Sequence, residues 1–238
     1  MTLLRFRDPD EVAQAAARQV ADLLAARPQA LVGFPTGRTP LPFFRALAQH
    51  RGDGLATDGL RPFALDEYRG VAASSPQSFA SFLRRHLVEP LGLDLARLHS
   101  LDGTAADAEA ECGRYESAVG GGAADLVILG LGANGHVAFN EPGSGADSRT
   151  RVVDLTPESI RAAAADFPAG TAAPTQALTI GIATILEARA VLLLVTGASK
   201  AGILRAALVG PETPQVPASF LRRHPDLRVL ADEAAAQG

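Results

Sequence analysis

The stretch Asp125-Leu126-Val127-Ile128-Leu129-Gly130-Leu131-Gly132-Ala133-Asn134-Gly135-His136-Val137-Ala138-Phe139-Asn140-Glu141-Pro142-Gly143 decides the fold. Its first five residues hold an apolar run without polar alternation, the pattern of a parallel strand buried on both faces. The glycine-rich loop that follows therefore opens at the carboxyl end of a sheet, the edge at which open α/β sheets bind their ligands. His136 and Glu141 stand in that loop, among glycines that let the backbone approach a small molecule closely. The pattern predicts an enzyme.

Working outward, the same grammar of strand, loop and helix recurs. Ala30 to Phe34 is a short apolar run followed by Pro35-Thr36-Gly37-Arg38-Thr39-Pro40 and a helical pattern through Phe43, Phe44 and Leu47. Pro62 to Leu65 ends in Asp66-Glu67-Tyr68, and helices are predicted from about Gln77 to Val88 and from about Ala105 to Val119. A strand over Ala190 to Thr196 leads to a helix opening at Ser199-Lys200. Nearer the start, Asp8-Pro9-Asp10-Glu11 supplies a cap, a proline and early acids for a helix running to about Ala26. Apolar strands alternating with amphipathic helices predict an α/β fold: one open, mostly parallel sheet with helices on both faces, a Rossmann-like three-layer α/β/α arrangement. The small, unpatterned segment Pro168 to Pro174 is the candidate mobile loop, and reads equally as an ordinary surface connection.

With 238 residues, 47% hydrophobic and 20% charged, the chain can bury one large core, so a single domain over residues 1–238 is expected. A formal net charge of -4 with dispersed basic residues argues against nucleic acid or an anionic membrane surface as partner. One cysteine, Cys112, excludes an internal disulfide and reads as a buried packing thiol. The amino terminus lacks a long apolar segment, and no run reaches the roughly 18 apolar residues of a membrane span. The expectation is a soluble, cytoplasmic protein, monomer or homo-oligomer, acting on a small molecule.

Four groups at predicted strand ends can carry chemistry. Thr36, Gly37, Arg38 and Thr39 precede a helix amino terminus, where orphan N–H groups and the helix dipole suit a phosphate; Gly and Thr also serve turn geometry alone. Asp66 and Glu67 are adjacent acids after a strand, so only one of them can face the cleft; Asp66 reads equally as a helix cap. Asn134 and Glu141 both carry oxygens able to accept the ring N–H of His136, whose alternative reading is a loop histidine satisfying a backbone group. Lys200, the sole lysine beside 21 arginines, lies between a strand end and a helix start, where its ammonium can neutralise a phosphate or simply sit on the surface. The remaining histidines, His50, His86, His99 and His224, fall in predicted helices or surface turns, so no metal site is expected.

The order of the motifs resembles that of glucosamine-6-phosphate deaminases over nearly the whole chain. The resemblance is carried by Pro35 to Pro40, Leu65-Asp66-Glu67-Tyr68, Pro76-Gln77-Ser78-Phe79, Gly135 to Gly143, Ser148-Arg149-Thr150-Arg151, Ala177-Leu178-Thr179-Ile180-Gly181 and Ala231-Asp232-Glu233-Ala234-Ala235. Tyr68 and the Phe139-Asn140-Glu141-Pro142 string separate it from the similar 6-phosphogluconolactonases, which share the fold. The resemblance implies conversion of glucosamine 6-phosphate and water to fructose 6-phosphate and ammonia, in amino sugar catabolism, without metal or organic cofactor. It assigns Asp66 as the base moving a proton between C2 and C1, and His136 as the group opening the sugar ring, with Asn134 and Glu141 setting its orientation and charge. Thr36, Gly37, Arg38, Thr39 and Lys200 correspond to the phosphate site, and a mobile lid is implied over about residues 151–178. Alternative readings are the same chemistry on galactosamine 6-phosphate, a 6-phosphogluconolactonase, or a non-catalytic sugar-phosphate sensor.

Three departures from the family pattern stand out. Asn134 replaces the aspartate of many members and brings no negative charge. Ala165 stands where a phosphate-binding arginine is usual; Arg38 is the favoured replacement, and Arg161, one helical turn before Ala165 on the same face, is the alternative. Val153 stands where a lysine is frequent and the sequence runs only briefly past Ala235, from which hyperbolic kinetics without activation by N-acetylglucosamine 6-phosphate are expected.

Overall fold

A computed structural model describes residues 1–168 and 170–237. In chain order the first half forms β1 (Thr2–Phe6), α1 (Pro9–Ala26), β2 (Leu31–Phe34), α2 (Leu41–Gly52), β3 (Arg61–Ala64), β4 (Asp66–Tyr68), α3 (Phe79–Leu83), α4 (Glu89–Leu91) and α5 (Ala108–Val119). The second half forms β5 (Leu126–Gly130), β6 (Arg151–Asp154), α6 (Pro157–Ala164), β7 (Gln176–Thr179), α7 (Ile182–Leu186), β8 (Val191–Val195), α8 (Ala201–Val209) and β9 (Leu227–Asp232). Local sequence explains many of the boundaries. Asp8 caps α1 by accepting from the Glu11 amide at 2.9 Å, with Pro9 as the first helical residue, a combination suited to a helix start. Asp107 does the same for α5, so that helix begins at Ala108 rather than near Ala105.

Six strands pair in the order β1-β9-β8-β5-β2-β3, every neighbouring pair parallel. Successive residues of each strand point to opposite faces, and two cores result. Leu31, Val127, Leu129, Leu193 and Val229 pack with Cys112 and Tyr115 of α5, Ile182 and Ile185 of α7 and Leu204 of α8. Val32, Phe34, Ile128, Leu192 and Leu230 pack with α1 and α2 on the other side. The chain leaves β2 in one direction to reach β3, and β5 lies on the opposite side of β2. That reversal opens a crevice at the carboxyl ends of β2 and β5, where the loops following Phe34 and Gly130 face one another.

Four features depart from the sequence reading. The amino terminus is a strand, β1, at the sheet edge, because a parallel partner, β9, supplies the hydrogen bonds that its mixed pattern does not advertise. Asp66-Glu67-Tyr68 is itself a strand, pairing with β7 in a separate antiparallel sheet of order β4-β7-β6. That small sheet delivers α6 to the mouth of the crevice. The helix expected over Gln77 to Val88 starts at Phe79, capped by Ser78, and passes through a π-helical turn at Arg84–Val88 into α4. His224, expected in a helix or surface turn, is 2% exposed; its Nε2 donates to the Ala188 carbonyl at 2.8 Å while Nδ1 accepts from the Asp226 amide. Within the segment 151–178 and the loop Pro168 to Pro174, Ala169 lies outside the described residues. Among the described residues no helix is long and apolar enough to cross a membrane, and no group of three His, Cys, Asp or Glu side chains is placed to hold a metal.

Candidate active site

The crevice holds a cavity of about 450 Å³. It is lined by the loop after β2, Pro35 to Pro40, by Leu129 to Ala133 and Leu194 at strand ends, and by Asp66, Tyr68, His136, Ala138 and Phe139. Lys200, before α8, also lines it, and α6 contributes Glu158, Ser159, Ala162 and Ala163, followed by Asp166. Thr36, Gly37, Arg38, Thr39, Asp66, His136 and Lys200 thus share one cavity although strand ends far apart in sequence supply them. Asn134 and Glu141 stand behind His136, and neither Arg161 nor Ala165 lines the cavity.

The loop after β2 turns through Gly37 at φ +96°, a conformation that favours glycine, and leads into α2. That helix starts at Pro40 without a side-chain cap, leaving its positive end to the cavity. Arg38 is exposed, with its guanidinium 3.6 Å from the Asp166 carboxylate. Lys200 is half-buried before α8; burial pushes its ammonium pKa down, against the charge of Glu158. Both cations have a carboxylate of the α6 region near them, Asp166 for Arg38 and Glu158 for Lys200.

Asp66 also faces the cavity, buried. Burial first, and then the neighbouring Glu67, push its pKa up to about 8. Glu67 points away and is held by the amides of Tyr68, Phe79 and Ala80 and by the Ser78 hydroxyl, at 2.6 to 3.1 Å. Asp66 caps no helix: the strand pairing Asp66↔Thr179 fixes it.

The ring of His136 lies flat against Gly132, where a Cβ would come within 2.4 Å of it; only glycine leaves room for the imidazole. Nδ1 sits 3.4 Å from Glu141 Oε2 and is buried without a hydrogen-bond partner among the described residues. Asn134 does not touch the ring. Its Oδ1 accepts from the His136 backbone amide at 3.1 Å and its Nδ2 donates to Glu141 Oε2 at 2.8 Å, so it bears on the imidazole through Glu141 rather than directly. The other carboxylate oxygen, Oε1, accepts from the hydroxyls of Ser159 and Thr156. Burial pushes the Glu141 carboxyl up, but His136 beside it and the donors Ser159 and Asn134 outweigh this and hold it down to about 2. Glu141 is therefore a fixed anion, and the pair His136–Glu141 is built to hold and move a proton where His136 lines the cavity.

Ala138 adds a local cost, with φ +49° on a residue that has a Cβ, a conformation that persists only where its surroundings impose it. Asn140 imposes it in part: fully buried, it donates to the Val137 and Ile180 carbonyls and accepts from Arg151 at 2.9 Å. Sequence reasoning passed over Ser159, Thr156 and Asp166. The string Thr156-Pro157-Glu158-Ser159 reads as a helix start, and the Thr156 cap is present, but its contact with Glu141 has no local signal.

A model of the family described as glucosamine-6-phosphate isomerases/6-phosphogluconolactonase matches residues 7–229. A glucosamine-6-phosphate deaminase of Streptomyces coelicolor is 47% identical over 224 residues, covering 92% of this chain and 85% of that protein. The solved structure of a monomeric glucosamine-6-phosphate deaminase superposes with a TM-score of 0.95 at 38% identity, over 100% of this chain and 99% of that one. A 6-phosphogluconolactonase from Trypanosoma cruzi has the same fold, with a TM-score of 0.79 at 22% identity over 100% of this chain and 96% of that one.

Proposed function

The chain belongs to the glucosamine-6-phosphate isomerase/6-phosphogluconolactonase family, and we infer from that premise that it is a glucosamine-6-phosphate deaminase, converting glucosamine 6-phosphate and water to fructose 6-phosphate and ammonia. The observation that carries the reading is the shared lining of one cavity. A buried carboxyl, Asp66, and His136 backed by Glu141 line it together with the cations Arg38 and Lys200.

The residue roles follow from that geometry. Phosphate binds Thr36 to Thr39 and Lys200, with Arg38 released from Asp166, and fixes the sugar so that its C1 and C2 reach Asp66 and His136. His136 passes a proton between the C1 hydroxyl and the ring oxygen, opening the pyranose to the aldehyde, and Glu141 stabilises the imidazolium that forms. Asp66 then takes the C2 proton while the aldehyde oxygen gains the proton that the substrate ammonium gives up, forming an enolamine, and Asp66 returns its proton at C1 to leave an iminium at C2. Water adds to that iminium, and a proton passing from the added oxygen to the nitrogen lets ammonia leave as the C2–oxygen bond becomes the ketone. A substrate ammonium beside Asp66 favours the ionised carboxylate, opposing the burial that keeps it protonated in the empty cavity.

We further propose that residues 1–238 act as one domain in which about 151–178 serve as a lid, and that the enzyme works in the cytoplasm on this small molecule. Incubation with glucosamine 6-phosphate should release fructose 6-phosphate and ammonia in equal amounts, and Asp66→Asn should abolish both. Binding without turnover in the wild type would instead make the protein a sensor. Turnover of 6-phosphogluconolactone alone would make it a lactonase.

A further inference from the structure

Glu141 is held from two directions that differ in kind. On Oε2 its partners, Asn134 and His136, belong to its own loop. On Oε1 both partners come from the start of α6: Ser159 donates to it, with Thr156 at 3.3 Å and also 3.2 Å from the Ser159 hydroxyl. Ser159 is buried and lines the cavity. Three residues beyond the end of that helix, the Phe167 ring meets Tyr68 of the cavity lining edge-on at 5.8 Å. A shift of α6 away from the cavity therefore strips Oε1 of its hydroxyl donors without disturbing Oε2.

We propose that Ser159 is a positioning residue for the deamination, its hydroxyl making the orientation of the Glu141 carboxylate, and through it that of His136, depend on α6 being seated over the cavity. A hydroxyl donating to a carboxylate is a charge-assisted bond, stronger and more directional than a neutral one, and it fixes the carboxylate plane relative to Nδ1. The depressed pKa of Glu141 agrees with this, Ser159 being one of the donors that lower it. The consequence is catalytic economy. Proton transfer at the sugar ring is fully set up only in the covered cavity, from which bulk water is excluded. The inference rests on the deaminase reading, which wild-type turnover tests in the same assay.

The experiment is a double-mutant cycle read in kcat and KM for glucosamine 6-phosphate. Ser159→Ala should lower kcat by about tenfold, the range expected for loss of a charge-assisted bond, with KM changed less than about twofold. In a Glu141→Gln background the same substitution should have almost no further effect on kcat, because the carboxylate it orients is gone. Ser159→Thr, which keeps the hydroxyl, should restore most of the wild-type kcat. An equal loss of kcat in both backgrounds would mean that Ser159 serves only to pack α6, and an unchanged kcat in Ser159→Ala would also overturn the proposal. Should Ser159→Ala not fold, Thr156→Val, which removes the second donor, should show the same dependence on Glu141 with a smaller factor.

Discussion

Asp66 lies on the cavity wall with its carboxyl buried and Glu67 as a charged neighbour, and both push its pKa up to about 8. The base form thus appears only as pH rises through that value in the unliganded protein. Since kcat/KM reports groups of the free enzyme, it should climb by about tenfold per pH unit to an acid limb near pH 8, while the limb of kcat lies lower because the bound ammonium favours the carboxylate. A kcat/KM flat between about pH 6 and 9 would take Asp66 out of the role of base. The same shift costs stability. Above the unfolded pKa of an aspartate, near 3.9, the native state retains a proton that the unfolded chain has lost, so this contribution falls as pH rises towards 8 and stays lost beyond it. Burying the base where it can reach a carbon-bound proton opposes fold stability, as active sites often do.

α6 turns one face to the cavity, through Glu158, Ser159, Ala162 and Ala163. Arg161 is exposed and off that face, one residue before Ala162, a rotation of about 100° on a helix of 3.6 residues per turn. Of the two arginines it is Arg38 that lines the cavity, beside Lys200, in the loop that also presents the α2 amino terminus. Arg38→Ala should raise KM for glucosamine 6-phosphate by about tenfold or more, the worth of a charge-assisted phosphate contact. Arg161→Ala should change it by less than about twofold, as expected of an exposed charge. Equal small effects, measured with saturating and limiting substrate, would remove Arg38 from the phosphate site.

At the scale of the whole molecule, the last strand anchors the turn that carries Lys200. Both carboxylate oxygens of Asp232, at the end of β9, accept from the Gly197 amide at 2.9 and 3.0 Å, and Oδ1 also accepts from Ala235 at 2.8 Å. Asp232 is buried and anchors the turn that carries Lys200 to a strand far from the β2 loop facing it. Asp232→Ala leaves buried donors unpaired, at about 1–3 kcal/mol each. A fall in Tm of several degrees should accompany a raised KM, at about 2–4 °C per kcal/mol for a chain of this size. An unchanged Tm would mean that water replaces the carboxylate without loss.

Strand runs such as Leu126 to Leu129 and Val191 to Val195, and the loops that follow them, were legible in the sequence because local chemistry writes them there: apolar continuity, glycines, caps and prolines are properties of neighbouring residues. Position at strand ends and motif order likewise brought Asp66, His136, Glu141, Thr36 to Thr39 and Lys200 forward; the fold lines one crevice with all of these but Glu141, which stands behind His136. Tertiary structure alone decided the rest. β1 is a strand because β9 pairs with it, and Asp66-Glu67-Tyr68 is a strand because β7 does. Asn134 meets Glu141 instead of the imidazole, Arg38 instead of Arg161 reaches the cavity, and Ser159 closes on Glu141. Each is a meeting of side chains set by strand order and helix rotation, and one residue of rotation on α6 would exchange which side chain faces the substrate.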